Sequence, residues 1–143
     1  MSATRAFSAQ RYELPPAQAG GPAVTLTAIP ANEADRLGRA FADIDPWRSY
    51  PYPPAALAAY LGGREPHAPR FGIETRGALA GALGLRLDWL RGPYLQFLGI
   101  LPGFQGLGLG AVVLDWMQQE ARRDGARNLW VCASQFNAGA LRF

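Results

Sequence analysis

The chain has 143 residues, long enough for one α/β domain with its own core and too short for two ordinary ones. With 49% hydrophobic and 17% charged residues, the composition excludes a disordered protein. Fourteen basic against eleven acidic side chains leave a net charge of +3 without a Lys/Arg run, which argues against nucleic acid as a partner and suits a small anionic ligand.

No apolar stretch approaches the ~20 residues of a membrane span, and the N-terminus lacks a charged-then-apolar signal pattern. The single cysteine, Cys132, excludes an internal disulfide; it falls in a predicted strand, where a buried inert thiol is expected. A cytoplasmic protein with no membrane partner and no metal centre is the simplest inference.

In chain order, residues 1–22 read as an arm or linker, because Glu13-Leu14-Pro15-Pro16 and Ala19-Gly20-Gly21-Pro22 resist regular structure. The alternating, β-branched run Val24 to Ala28 predicts a short strand. Asn32 is placed to N-cap a helix in which Ala34, Leu37, Phe41 and Ile44 recur at helical spacing, with Pro46 as its end. The aromatic, proline-rich run from Pro46 to Pro54 is a loop of limited freedom. A second helix is expected over 54–61, with Leu57, Tyr60 and Leu61 apolar and Gly62-Gly63 as its stop.

Arg70 to Thr75 predicts a strand and Arg76-Gly77 a tight turn. Leu79, Gly81, Leu83, Leu85, Leu87 and Trp89 then alternate with smaller or polar residues, a strong strand signal. Arg91-Gly92-Pro93 turns the chain into the next strand, Tyr94 to Ile100. Leu109, Val112, Val113, Trp116, Met117 and Ala121 have helical spacing, and Gly125 is the natural C-cap. Asn128 to Ala133 predicts a last strand, apolar on both faces and therefore central, and Asn137 begins a final helix. Three strands joined by tight turns must be antiparallel, whereas the strand–helix–strand unit from 94 to 133 is a parallel crossover, so the α/β sheet is mixed.

The run Leu98-Gly99-Ile100-Leu101-Pro102-Gly103-Phe104-Gln105-Gly106-Leu107-Gly108-Leu109-Gly110 carries the most chemistry. A strand leads through glycines into an amphipathic helix, a junction that exposes unpaired N–H groups and the positive end of the helix dipole to a phosphate. A nucleotide P-loop is ruled out, because Gly103 and Gly108 have its spacing but Leu109 stands where its lysine belongs. Gly106, Gly108 and Ala111 also fit the dinucleotide fingerprint, yet no acidic residue ends the following strand to hold a ribose.

Taken whole, Gln105-x-x-Gly108-x-Gly110 after Leu98 to Pro102 resembles the acetyl-CoA motif of the GCN5-related N-acetyltransferase (GNAT) superfamily. Asn137-x-x-Ala140-x-x-Phe143 is similar to that family's last conserved segment, and the element order from residue 24 onward matches its fold. The resemblance implies an arm over 1–22 and an acetyltransferase domain over 23–143. It implies acetyl-CoA held by Leu98, Ile100, Pro102, Gln105, Gly106, Leu107, Gly108, Leu109, Gly110, Ala111 and Asn137. It further implies a strand that splays from its neighbour near Gly99, and a thioester carbonyl that meets the N–H of Ile100, steadying the oxygen's developing charge.

The implied reaction is direct attack of an amine on the thioester. A free alkyl amine with pKa ~10.4 is neutral in about one part in a thousand at pH 7.4, a handicap of ~4 kcal/mol that a general base or a desolvating pocket must offset. Tyr94 stands where many members carry a glutamate; Glu74 and Asp88 are other candidate bases, and His67 lies in a loop. Trp47, Tyr50 and Tyr52 are candidate walls of the acceptor site, and small-molecule and peptide amines are both open as acceptors. The tyrosine that often follows the residue matched by Phe143, and the family's last two strands, lie beyond the final residue, so a C-terminally incomplete domain is expected. An open sheet edge and family habit imply a homodimer. Two alternatives stand beside this reading: a catalytically inactive acyl-CoA-binding module of the same fold, and a dinucleotide-binding enzyme.

Overall fold

The structure is a computed structural model that describes residues 5–50 and 52–132. Nine regular elements follow in the order β1 (Arg11–Leu14), β2 (Val24–Thr27), α1 (Ala31–Ala42), α2 (Pro54–Leu61), β3 (Arg70–Thr75), β4 (Ala78–Trp89), β5 (Gly92–Ile100), α3 (Leu109–Arg123) and β6 (Trp130–Val131). A single 3-10 turn, Pro102–Phe104, interrupts the passage from β5 to α3. The strands lie side by side in chain order in one sheet. The pairs from β1 to β5 are antiparallel, and β6 joins β5 in parallel after α3. The mixed sheet expected from the turn and crossover lengths is therefore observed.

The turns set the meander. Arg76 and Gly77 between β3 and β4 both have positive φ, 55° and 72°, the left-handed pair whose twist matches a two-residue hairpin. The sheet is covered on both faces. On one, α3 packs Val113, Trp116 and Met117 against Val24, Leu26, Ile73 and Leu83. On the other, α1 and α2 bring Leu37, Phe41, Leu57 and Leu61 onto Ala82 and Phe97. Each large apolar side chain so buried contributes on the order of 1.5–3 kcal/mol. This double cover explains why β4, whose sequence alternates, is buried continuously from Ala80 to Leu85.

Several sequence expectations are corrected. Within 1–22, Arg11–Leu14 pairs with β2 as an edge strand, and Phe7 and Leu14 are core residues, so this stretch is built into the domain. Its prolines lie outside the ladder, where a missing N–H costs nothing. Helix α1 starts at Ala31 behind Pro30 without a side-chain cap, so Asn32 is inside it, and it ends at Ala42, before Pro46. The last strand is short, its residues Trp130 and Val131 are 38% and 52% exposed, and it is an edge among the described residues. Cys132 is exposed, not buried. The helix expected from Asn137 lies outside the described residues. Among the described residues, no helix is long and apolar enough to cross a membrane.

Candidate active site

Strand β5 ends at Ile100, and its last bonds fix how the backbone faces. Leu101 donates its N–H to the Ala80 carbonyl of β4 at 2.8 Å. Because peptide groups alternate in direction along a strand, Ile100 turns its own N–H and carbonyl to the opposite edge, away from β4. That carbonyl accepts the side-chain amide of Gln105 at 2.9 Å. The 3-10 turn is closed by the Phe104 N–H on the Leu101 carbonyl at 2.9 Å. The loop is thus folded back on the strand that precedes it.

The glycines then open the way into α3. Gly106 and Gly108 have φ of +78° and +83°, a region that L side chains adopt only at a cost. Gly108 is the N-cap of α3 and offers no side-chain hydrogen bond. The first bond of the helix is from Val112 to the Gly108 carbonyl, 3.2 Å. The N–H groups of Leu109, Gly110 and Ala111 therefore point out of the helix start with no acceptor inside it, and the dipole adds positive potential at the same place. Gly108 and Ala111 also border an open groove of about 440 Å³ whose other wall is formed by Pro15, Pro16 and Ala17.

Each sequence candidate has a definite position. Leu98 and Ile100 pack on the α3 side, Leu109 is buried, and Leu107 is half-buried, lining a cleft with Val24, Thr75 and Arg76. Pro102, Gln105, Gly106, Gly108, Gly110 and Ala111 form one continuous ribbon from the end of β5 into the first turn of α3. Asn137 lies outside the described residues.

The structure does not bring the other two catalytic candidates together. In register, Ile73 of β3 and Gly81 of β4 lie in line with Ile100, so Glu74 stands two strand spacings away, on the order of 10 Å. Glu74 accepts a long bond from Thr27 at 3.5 Å. Tyr94 opposes Arg86 and Trp130, six residues before Ile100 and about 20 Å along the strand. Burial, then the neighbouring Cys132, pushes the Tyr94 phenol above its usual range.

The three aromatic candidates separate as well. Trp47 stacks on Phe97 with ring centroids 4.6 Å apart and touches Phe41 at 5.3 Å, which makes it part of the packing under α1. Tyr50 and Tyr52 are 52% and 49% exposed and meet edge-on at 6.1 Å.

The register of β5 holds a feature that the sequence reading missed. Gly84 of β4 faces Phe97 while Leu85 faces Leu95, so Gln96 is an extra residue, a β-bulge. Near Gly99, where the resemblance implies splaying, β5 is still paired with β4 through Ala82. Gly99 instead makes room for Phe41, whose ring carbon would lie 2.6 Å from an added Cβ. Gln96 is an exposed polar residue in a run of apolar ones and accepts the Tyr60 hydroxyl at 3.0 Å. Its polarity within Leu95-Gln96-Phe97-Leu98 was the available signal.

A mixed sheet with a glycine-rich turn between its parallel crossover strand and the following helix defines the acyl-CoA N-acyltransferase class of fold. The chain belongs to the Acetyltransferase (GNAT) family, whose model matches residues 34–143. No significant match is found among curated proteins. Solved structures of the same fold include the ribosomal-protein-S18-alanine N-acetyltransferase of Escherichia coli, with 18% identity and TM-score 0.64 over 83% of this chain and 72% of that one. Tetrahymena GCN5 is also 18% identical, with TM-score 0.58 over 81% and 70% of the two chains. AAC(6')-Iy, solved with a CoA-linked bisubstrate analogue, has 18% identity and TM-score 0.50 over 75% and 80%.

Proposed function

We propose that the chain transfers an acetyl group from acetyl-CoA to a primary amine by direct attack. The observation that carries this reading is the junction of β5 and α3. There three N–H groups without a helical acceptor, on Leu109, Gly110 and Ala111, converge beside a loop tied down by Gln105. A pyrophosphate is the ligand that such a junction suits. Glycine at 106 and 108 leaves no Cβ to hold it off, and no lysine is needed.

The donor supplies a thioester; the rest is done by the chain's own groups. The Ile100 N–H, turned away from β4, is the donor assigned to the carbonyl oxygen, where it steadies the charge that develops on attack. Pairing of β6 with β5 ends at Leu95 among the described residues, so this edge of Ile100 carries no strand partner there. Tyr94, about 20 Å along β5 from Ile100, is assigned no step. Glu74 is the candidate base, acting across the gap through water. Tyr50 and Tyr52 are the exposed aromatic groups available to an acceptor.

Membership of an acetyltransferase family and the CoA-linked ligand of AAC(6')-Iy support the donor. The reading includes a cytoplasmic enzyme and, with Leu90 and Val131 exposed at 64% and 52%, a homodimer, for which light scattering is the check. The activity is tested by following thiol release from acetyl-CoA with a panel of amines. Amine-dependent release supports transfer; acetyl-CoA binding without release from any amine supports the inactive acyl-CoA-binding module instead.

A further inference from the structure

The bulge residue Gln96 sits where β5 changes partners. It immediately follows Leu95, the last residue of β5 paired with β6 among the described residues. Its side chain is exposed, yet it is held by an unusually complete scaffold. Tyr60 of α2 donates its hydroxyl to Gln96 Oε1 at 3.0 Å. Burial pushes the Tyr60 phenol up to about 12, so it remains a donor across the physiological range. With Oε1 engaged, the carboxamide has one orientation, and its two Nε2 hydrogens are the groups left to face outward.

The phenol is itself fixed from several sides. A Cβ on Gly84 would collide with the Tyr60 hydroxyl. The Arg70 guanidinium lies 4.4 Å over the Tyr60 ring. The Arg70 side chain is only 8% exposed, ion-paired to Glu65 and bonded to the Ala68 carbonyl at 2.6 Å. A Cβ on Gly63 would press on that guanidinium at 2.8 Å. A buried cation and two glycines thus serve one hydroxyl whose partner is a surface amide. An exposed hydrogen bond adds little to stability, so this arrangement is better explained by the use of the amide than by folding.

We infer that Gln96 is a specificity-determining residue for the acceptor, its Nε2 donating to a carbonyl or hydroxyl oxygen beside the reacting amine, with Tyr60 as the positioning residue. The inference rests on the acetyl-transfer reading. It narrows the acceptor to amines that carry an oxygen acceptor on the adjoining carbons, and it disfavours bare alkyl amines.

The test compares glycinamide, ethanolamine and propylamine as acceptors for the wild-type chain, Gln96→Met and Tyr60→Phe, with acetyl-CoA binding measured on the same samples. For Gln96→Met, KM should rise about tenfold for glycinamide or ethanolamine, stay within about twofold for propylamine, and leave kcat unchanged. The oxygen-bearing amine that responds tells carbonyl from hydroxyl. Tyr60→Phe should show the same selective rise at about threefold, with an unshifted acetyl-CoA affinity. Taking the ratio of variant to wild type for each amine cancels their different basicities. An equal change for all three amines, no change, or transfer to propylamine alone overturns the inference while the acetyl-transfer reading stands. Absence of acetyl-CoA binding by the wild-type chain overturns both.

Discussion

Gln105 donates its side-chain amide to the Ile100 carbonyl at 2.9 Å, linking the strand that ends at Ile100 to the loop that starts α3. The bond ties the loop to the strand before it and limits the loop's freedom, which lowers the ordering cost of binding. Gln105→Leu should therefore weaken acetyl-CoA binding by about tenfold, the effect of losing ~1.4 kcal/mol of preorganisation. Because Gln105 is exposed, the melting temperature should hardly move. Competition binding paired with a thermal melt checks both halves.

Gly108 offers a graded test of the phosphate assignment. Its φ is +83°, and an added Cβ would lie 3.4 Å from that of Ala17. Gly108→Ala should cost about 1–2 kcal/mol of stability through left-handed strain and leave some binding. Gly108→Glu adds bulk and a negative charge at the helix start, and should abolish acetyl-CoA binding in a chain that still melts cooperatively. Unchanged affinity in Gly108→Glu would remove the loop from the binding site.

The parts of the fold written in local pattern were legible. Helix α3 and strand β4 repeat at 3.6 and 2 residues, and α3 stops where expected, with Asp124 as its C-cap and Gly125 just beyond it in the left-handed region at φ of +75°. What was not legible depends on partners far away in sequence. Arg11–Leu14 carries a weak strand signal beside two prolines and becomes β1 because β2 offers an edge. The loop around Trp47 reads as a candidate acceptor wall, whereas Phe41 and Phe97 claim that ring for packing. At the site, the glycine ribbon could be read because glycine marks backbone need directly. The placing of Glu74 and Tyr94 could not, because it depends on strand register and on the two bulges beside Glu74 and Gln96.

Glu120 is a charged residue on the apolar stripe of α3, spaced with Val113, Trp116 and Met117, and it is 9% exposed. It accepts the Phe7 N–H at 2.8 Å and the Tyr12 hydroxyl at 3.1 Å, and it pairs with Arg123. Burial alone would raise its pKa, but the bonds from Arg123, Phe7 and Tyr12 outweigh it and hold the carboxyl below its usual range. A depressed folded-state pKa stabilises above the unfolded value near 4.5 and is lost as pH falls through the folded one. The chain should therefore lose the docking of residues 7–12 in acid. Glu120→Gln should cost about 1–2 kcal/mol at pH 7 and flatten the acid limb of stability. Urea unfolding from pH 7 to pH 3 measures the slope; parallel limbs for variant and wild type would remove Glu120 as its source.

Gly99 and Phe41 share one space, since an added Cβ would sit 2.6 Å from the Phe41 ring. Gly99→Ala should destabilise by about 1–3 kcal/mol through overpacking. Phe41→Leu costs stability alone but should cost less in the Gly99→Ala background, where it relieves the clash. A double-mutant cycle reads that coupling, and simple additivity would show that the glycine does not serve to seat the ring.

The central claim is that the β5–α3 junction binds acetyl-CoA. Calorimetric titration of the chain with acetyl-CoA, with NAD run in parallel, tests it most directly. The account predicts saturable one-to-one binding of acetyl-CoA and no heat with NAD. Binding of NAD in its place, or no acetyl-CoA binding by a chain that unfolds cooperatively, would contradict it.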